Sequence, residues 1–198
     1  MAKRLFDLLG ATLALLLLAP LLAVVALVVR LDSPGPVFFR QERVGRGGVH
    51  FRIHKFRTMR VDAPTLGPQL TVGHDPRITR VGHGLRHYRI DELPQFIDVL
   101  LGRMSLVGPR PEVPRFVAHY PADLRARVLA VRPGITDPAS LAHIDEAALL
   151  AGSADPEGEY IRRILPRKLA LQAEYAASAT LWSDLRVLGR TLSLLLAR

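Results

Sequence analysis

The chain has 198 residues, of which 49% are hydrophobic, and a formal net charge of +9. This length allows one domain with a sizeable core plus appendages, and the charge favours an anionic partner such as a phosphorylated substrate, lipid headgroups or nucleic acid. Because cysteine is absent, disulfides and cysteine-ligated metal sites are excluded.

The first predicted element is an apolar block at residues 8–29, 22 residues without a charge. As a helix it would be roughly 33 Å long, enough to cross a hydrocarbon core of about 30 Å, and it is longer than the apolar part of a signal peptide. Pro20 near its middle removes one helical hydrogen bond. Basic residues flank both ends, and basic flanks favour the cytoplasmic side of a membrane. The pattern therefore favours a re-entrant helix over residues 1–31, broken at Pro20, over a kinked crossing helix.

The remainder, residues 32–198, is predicted to be a single α+β domain that is mostly helical. Short strands are expected at residues 37–39 and 49–54, with a hairpin turn at residues 45–48. Residues 62–75 are rich in glycine and proline and are expected to form an open loop over the site. Helices are predicted at residues 93–101, 124–131 and 160–178, with a loop at residues 152–158 before the last of them.

The C-terminal segment, residues 181–198, predicts an amphipathic helix. A row of leucines recurs at helical spacing, with Trp182 at its edge and two arginines elsewhere: Leu181, Leu185, Leu188, Leu192, Leu195, Arg186 and Arg190. Such a helix suits a membrane surface. It would equally suit packing against the core of its own domain, and the sequence leaves both interpretations open.

Asp91 and Glu92 are adjacent carboxylates directly before a predicted helix. By themselves they are explained by helix capping, since acidic residues favour a helix N-terminus. However, residues 40–132 contain 17 basic and 8 acidic residues, a surplus equal to the net charge of the whole chain. Nearby cations favour the charged form of a carboxylate. We therefore expect Asp91 to be ionised, as a nucleophile or a ligand of Mg²⁺ must be.

Three basic residues are candidates for binding substrate phosphate. Arg110 stands between two prolines, and its guanidinium suits bidentate phosphate binding from a stiff backbone. Lys55 lies next to a predicted strand, and Arg132 precedes a Pro-Gly turn. Each could instead be a solvated surface residue, and the residue pattern alone does not separate these interpretations.

Several motifs resemble those of one known family. They are Phe6-Asp7, His-Lys-Phe-Arg-Thr-Met at 54–59, Asp-Pro-Arg-Ile-Thr-Arg at 75–80, Asp-Glu-Leu-Pro-Gln at 91–95, Met-Ser-Leu-Val-Gly-Pro-Arg-Pro at 104–111 and Arg-Pro-Gly-Ile-Thr at 132–136. In this order, over most of the chain, they resemble the bacterial sugar transferases, and the length is similar to that of the small monotopic polyprenyl-phosphate phosphoglycosyl transferases.

The resemblance implies transfer of a sugar phosphate from a nucleoside-diphosphate sugar, such as a UDP-sugar, to undecaprenyl phosphate, as the first membrane step of polysaccharide or glycoconjugate assembly. It implies Asp91 as the nucleophile of a covalent phosphosugar intermediate, with Glu92 assisting in metal binding or proton handling and Mg²⁺ as cofactor. Arg110, Lys55 and Arg132 would bind substrate phosphate. It also implies the bacterial inner membrane, with the catalytic domain on the cytoplasmic face, and no nucleic acid partner.

Two segments depart from the family pattern. Arg103 replaces an acidic residue found in many members, and residues 137–141 replace a stretch that begins Gly-Trp. The second departure bears on the choice of donor. A different class of function, a non-catalytic basic module tethered to a membrane and binding nucleic acid or anionic lipid, would explain the charge without any role for Asp91.

Overall fold

The apolar block forms one helix in the structure, a computed structural model that describes residues 1–67, 75–142, 150 and 152–197. Helix α1 covers Ala2–Asp32, and Pro20 lies inside it with helical residues on both sides. The helical assignment thus continues through Pro20, and the bend predicted there stays a prediction. Within the described residues, α1 alone is long and apolar enough to cross a membrane, with a mean hydropathy of 2.9 in a window that is 11% buried.

Both ends of α1 are attached to the rest of the chain, and its middle is not. Near the start, Ala11 is fully buried, and near the end Val29 is 2% exposed and packs with Phe56. No residue from 12 to 24 is buried. The helix is therefore attached at two separate points, with an apolar surface between them.

A β-hairpin follows, in four short strands: β1 (Phe38–Phe39), β2 (Glu42–Val44), β3 (His50–Arg52) and β4 (Lys55–Phe56). β1 pairs with β4 and β2 with β3, both antiparallel, and one register runs through the two pairs. The backbone amide of Ile53 donates to the carbonyl of Gln41 at 3.0 Å and bridges the gap between them. The hairpin and its turn at residues 45–48 are confirmed. The strand at Glu42–Val44 was not predicted.

The central part of the chain alternates short helices with a parallel strand pair. In chain order it contains α2 (Ala63–Leu66), α3 (Arg80–His87), a 3₁₀ turn (Ile90–Glu92), α4 (Gln95–Leu100), β5 (Ser105–Val107), α5 (Pro114–Val117), α6 (Ala122–Val128) and β6 (Gly134–Thr136). β5 pairs with β6 in parallel. The helices predicted at residues 93–101 and 124–131 correspond to α4 and α6. The predicted loop at residues 62–75 is wrong where α2 forms, and residues 68–74 lie outside the described residues.

The C-terminal part consists of helices α7 (Pro138–Ala142), α8 (Pro156–Glu159), α9 (Leu165–Ser178), with a π turn at Tyr160–Ile164 before it, and α10 (Leu181–Leu196). The helix predicted at residues 160–178 is confirmed. The loop predicted at residues 152–158 is wrong at its end, because Pro156 occupies the first turn of α8 and the Asp155 side chain caps it. Together these elements confirm a mostly helical α+β fold.

Helix α10 packs against the core of its own domain, and its use at a membrane surface stays a prediction. Asp184 is fully buried and accepts hydrogen bonds from Lys3 and from the Tyr175 hydroxyl. The bond from Lys3 holds α10 against the start of α1. Leu188 packs on the core. The exposed side of the helix carries four leucines and a tryptophan: Leu181, Trp182, Leu185, Leu192 and Leu196. The predicted leucine row is thus split between the core and an exposed apolar surface.

Candidate active site

Asp91 and Glu92 lie in the 3₁₀ turn directly before α4. Arg89, just ahead of this turn, adopts the left-handed conformation (φ 58°, ψ 19°), which costs a non-glycine residue on the order of 1 kcal/mol. Neither carboxylate caps a helix, because α4 begins at Gln95 and its N-cap, Pro94, has no side-chain hydrogen bond. The capping interpretation is therefore wrong, and the carboxylates are available for another role.

Both oxygens of Glu92 are held by cations. Lys55 Nζ donates to Oε1 at 2.7 Å, and Arg110 donates to Oε2 at 3.0 Å and also to Oε1. Burial acts to raise the pKa of Glu92, but Arg110 and Lys55 outweigh it and hold this pKa well below its usual range. Glu92 is therefore a permanent anion that fixes two cations in place.

The carboxylate of Asp91 has a different environment. It is 7% exposed, and it makes no hydrogen bond or ion pair to any residue that the structure describes. Burial raises the pKa of Asp91, Lys55 opposes that shift, and the neighbouring charge of Glu92 adds to it. We expected the surrounding cations to favour ionisation of Asp91, but they act mainly on Glu92. What remains at Asp91 is a desolvated carboxylate with both oxygens free to react or to bind a cation.

Asp137 positions the backbone of Arg110. The Arg110 backbone amide donates to Asp137 Oδ2 at 2.9 Å, and one guanidinium nitrogen reaches the Ile135 carbonyl at 3.3 Å. Asp137 is fully buried and also accepts from Gln172 Nε2 at 2.6 Å. Glu92, more than any other group, raises the pKa of Arg110 above its usual value. Asp137 begins the segment that departs from the family pattern, and here it supports a candidate phosphate-binding residue.

The hairpin supplies Lys55 and a second cation that the sequence did not single out. Residues that face each other across paired strands point to the same side, so Arg43, opposite Phe51, shares a face with Lys55. Together they line a small cleft with the following residues: Ile53, Gln95, Arg110 and Pro111. Arg43 was missed because its strand was not predicted, and Gln95 gave no signal beyond its place in a motif.

Arg132 is not part of this arrangement. Its Nε donates to the Gly102 carbonyl at 2.9 Å, beyond the C-terminal end of α4, whereas Asp91 precedes the N-terminal end. In the part of the chain that the structure describes, no hydrogen bond or ion pair joins Arg132 to Asp91, Glu92 or Lys55. The structure thus brings together four of the five residues predicted for the site.

The chain matches the family model described as bacterial sugar transferase over residues 1–198. It belongs to the bacterial sugar transferase family.

Named relatives are similar to nearly the whole of this chain. It is 39% identical to a UDP-N-acetylgalactosamine-undecaprenyl-phosphate N-acetylgalactosaminephosphotransferase of Aeromonas hydrophila, over 98% of this chain and 43% of that protein. It is 42% identical to a UDP-glucose:undecaprenyl-phosphate glucose-1-phosphate transferase of Caulobacter vibrioides, over 98% of this chain and 69% of that protein. An undecaprenyl-phosphate glucose phosphotransferase of Komagataeibacter xylinus is 41% identical, and this chain spans 35% of its length.

A buried contact fixes the β4 side of the candidate site relative to the α4 side. Asp98, fully buried on α4, accepts from the His54 backbone amide at 2.7 Å and pairs with His54 Nδ1 at 2.8 Å. His54 immediately precedes Lys55, so this contact sets the distance between β4 and the carboxylate turn. Arg103, the other departure from the family pattern, lies 3.8 Å from Asp98, on the same side as Arg132 rather than at the cleft.

The set of side chains that could bind a divalent cation at the candidate site is small. Within the described residues no group of three or more histidines and carboxylates could enclose a metal. Glu92 is occupied by Lys55 and Arg110, so Asp91 is the member of the pair with free oxygens. Mg²⁺ usually takes one or two carboxylates and completes its shell with substrate phosphates and water. Asp91 in this setting fits such an open site.

Proposed function

We propose that this chain transfers a sugar phosphate from a nucleoside-diphosphate sugar to undecaprenyl phosphate, through a covalent intermediate on Asp91. The observation that carries the proposal is the unpartnered, desolvated carboxylate of Asp91 beside a Glu92 that is locked between Lys55 and Arg110. The family membership and the names of the relatives above support the same activity. All three relatives named above act on undecaprenyl phosphate by their names, and two name a UDP-sugar, so a UDP-sugar is the donor class we propose.

The proposed reaction has two displacements at one phosphorus. An Asp91 oxygen attacks the sugar-bearing phosphorus, the bond from that phosphorus to the bridging oxygen breaks, and nucleoside monophosphate leaves with the electron pair. An oxygen of undecaprenyl phosphate then attacks the same phosphorus, and the Asp91–phosphorus bond breaks to restore the carboxylate. Dividing the transfer in this way is the usual advantage of a carboxylate nucleophile.

The surrounding residues stabilise charge rather than move protons. Lys55 and Arg110 are held by Glu92, so they are already in place to donate hydrogen bonds to phosphate oxygens as charge develops there. Glu92, whose pKa is held low, stays anionic throughout and positions them. Mg²⁺, when bound at Asp91, would neutralise phosphate charge that the cations leave uncompensated.

The attachment of α1 supports a re-entrant membrane helix. Asp7 near its start accepts from Ser105 Oγ at 2.9 Å, and beyond its end the Arg57 guanidinium holds the carbonyls of Ser33 and Pro34. Both ends of α1 therefore contact one domain, whereas a crossing helix would place its ends on opposite sides of the bilayer. The proposed arrangement is a domain at residues 32–198 on the cytoplasmic face of the inner membrane, with α1 dipping into the bilayer.

A donor panel tests the proposed activity. The purified protein in detergent micelles, with Mg²⁺ and undecaprenyl phosphate, is expected to release nucleoside monophosphate from at least one UDP-sugar among donors that vary in sugar and base. Omission of undecaprenyl phosphate should limit release to about one equivalent per enzyme, because the intermediate then accumulates. Absence of turnover with every donor would rule the proposal out.

Cysteine labelling tests the topology, because the chain has no native cysteine. Ala2→Cys and Arg40→Cys are expected to react from the same side with a membrane-impermeant maleimide, in inverted vesicles but not in intact cells. Ala19→Cys, in the exposed middle of α1, should resist the reagent because lipid surrounds it. Labelling of the two end positions from opposite sides would show that α1 crosses the membrane.

A further inference from the structure

The guanidinium of Arg43 lies in the cleft with Lys55 and Arg110 but takes no part in holding Glu92. Its Nη1 donates to the Pro111 carbonyl at 3.0 Å, and its Nη2 donates to Gln41 Oε1 at 2.6 Å. These two bonds fix the plane of the guanidinium against the segment that carries Arg110. Arg43 is therefore as well positioned as the two cations already assigned to the site.

The Arg43 side chain also retains an unused donor. Its Nε is buried and has no hydrogen-bond partner among the described residues. A buried N–H without a partner costs free energy that a bound acceptor would recover. Burial lowers the pKa of Arg43, which Glu112 at 3.6 Å only partly opposes, so the cation itself would gain from an anion in the cleft.

The charges around the cleft leave room for an anion. Five cations pair with two carboxylates, Glu92 with Lys55, Arg89 and Arg110, and Glu112 with Lys168 and Arg43, and Asp91 adds a third carboxylate beside Glu92. The second carboxylate does not depend on Arg43, since Lys168 Nζ and the Tyr160 hydroxyl both donate to Glu112 Oε1. Glu112 is therefore compensated without Arg43, and the Arg43 Nε is left without a partner among the described residues.

We propose that Arg43 binds the nucleoside-bearing phosphate of the donor, the one that leaves with the nucleoside. Asp91 must face the sugar-bearing phosphorus, and Lys55, whose Nζ lies 2.7 Å from Glu92, is next to that position. Arg43 contacts Pro111 and Glu112, the two residues that follow Arg110, which suits the adjacent phosphate of a diphosphate. This assignment rests on the proposed function for the identity of the donor. The inference that Arg43 binds a diphosphate rests only on the geometry and charge of the cleft.

Binding of UDP and of inorganic pyrophosphate to the full chain in micelles, measured by calorimetry at a fixed Mg²⁺ concentration, tests this role. Arg43→Gln is expected to weaken both by about tenfold or more, the loss typical of a charge-assisted hydrogen bond. Arg43→Lys keeps the charge but loses Nε and the planar fork, so it should bind UDP about threefold more weakly or worse. Arg52→Gln is the matched control, since Arg52 is exposed on the opposite face of the same hairpin.

Kinetics distinguish the donor from the acceptor. Arg43→Gln should raise the KM for the UDP-sugar and leave the KM for undecaprenyl phosphate unchanged. Wild-type UDP affinity in either Arg43 variant, or a rise confined to the KM of undecaprenyl phosphate, would overturn the assignment. If the wild type turns over no donor but binds UDP in an Arg43-dependent way, the proposed function fails and the diphosphate site stands.

Discussion

Asp91→Asn is expected to abolish release of nucleoside monophosphate, with turnover falling by on the order of 10³-fold or more, while the protein stays folded. Asparagine has nearly the same shape as aspartate, but its amide oxygen does not form the intermediate. Because the Asp91 carboxylate has no hydrogen bond or ion pair among the described residues, the substitution removes no contact there. It also removes a buried charge, so the thermal unfolding midpoint should be equal to or slightly above that of the wild type.

A matched control is Asp123→Asn, at an exposed aspartate on α6, which should leave turnover and unfolding unchanged. Full turnover by Asp91→Asn would show that the proposed nucleophile is wrong. The same variant addresses the non-catalytic alternative, because a basic membrane-tethered module would show strongly salt-dependent binding to nucleic acid or anionic lipid that does not depend on Asp91.

Arg57→Ala is expected to have the largest effect on stability, lowering the free energy of unfolding by about 3 kcal/mol or more. The Arg57 side chain is buried, with the residue 5% exposed, and its guanidinium donates to four backbone carbonyls beyond and at the end of α1: Val29, Ser33, Pro34 and Pro36. These acceptors include the last unpaired carbonyls of a long helix. Alanine would leave all of them without donors. Denaturant unfolding in micelles, followed by the fluorescence of Trp182, measures the change.

Arg60→Ala is the control for this prediction, since Arg60 is three residues away, exposed, and, among the described residues, paired only with exposed Asp62. Its effect on stability should lie within about 0.5 kcal/mol. Arg57→Lys should fall between the two, because a single ammonium cannot reach all the carbonyls that a guanidinium spans. An Arg57→Ala protein that unfolds at the wild-type denaturant concentration would show that these hydrogen bonds do not secure the end of α1.

Local patterns were enough for elements whose residues interact mainly with their chain neighbours. The hairpin turn at residues 45–48 was predicted from glycines, and the helices at α4 and α9 from hydrophobic periodicity. Strand Glu42–Val44 was missed because its three residues carry no alternation that a short window can detect, and its pairing with His50–Arg52 creates the strand. The same omission hid Arg43, whose importance depends on which face of the hairpin meets the Arg110 segment.

The roles of the two carboxylates could not be separated from the sequence. Asp91 and Glu92 are adjacent, and the surrounding arginines favour ionisation of either one. In the structure Lys55, 37 residues earlier, and Arg110, 18 residues later, both reach Glu92, and the charge of Asp91 is left without a direct partner. For Arg132 the motif is intact, so the sequence indicated a site residue. In the structure its side chain donates to the Gly102 carbonyl, beyond the C-terminal end of α4.

By itself, the sequence determined the family, the apolar helix, the basic middle segment and the importance of the Asp91–Glu92 pair, because each is a property of residue type and short spacing. Tertiary structure alone decided that Asp91 is the free carboxylate, that Glu92 organises the cations, that Arg43 joins the cleft and that Arg132 does not. Ion pairs and hydrogen bonds act over a few ångströms, and the residues that meet across such distances here are separated by 18 to 68 positions in the chain.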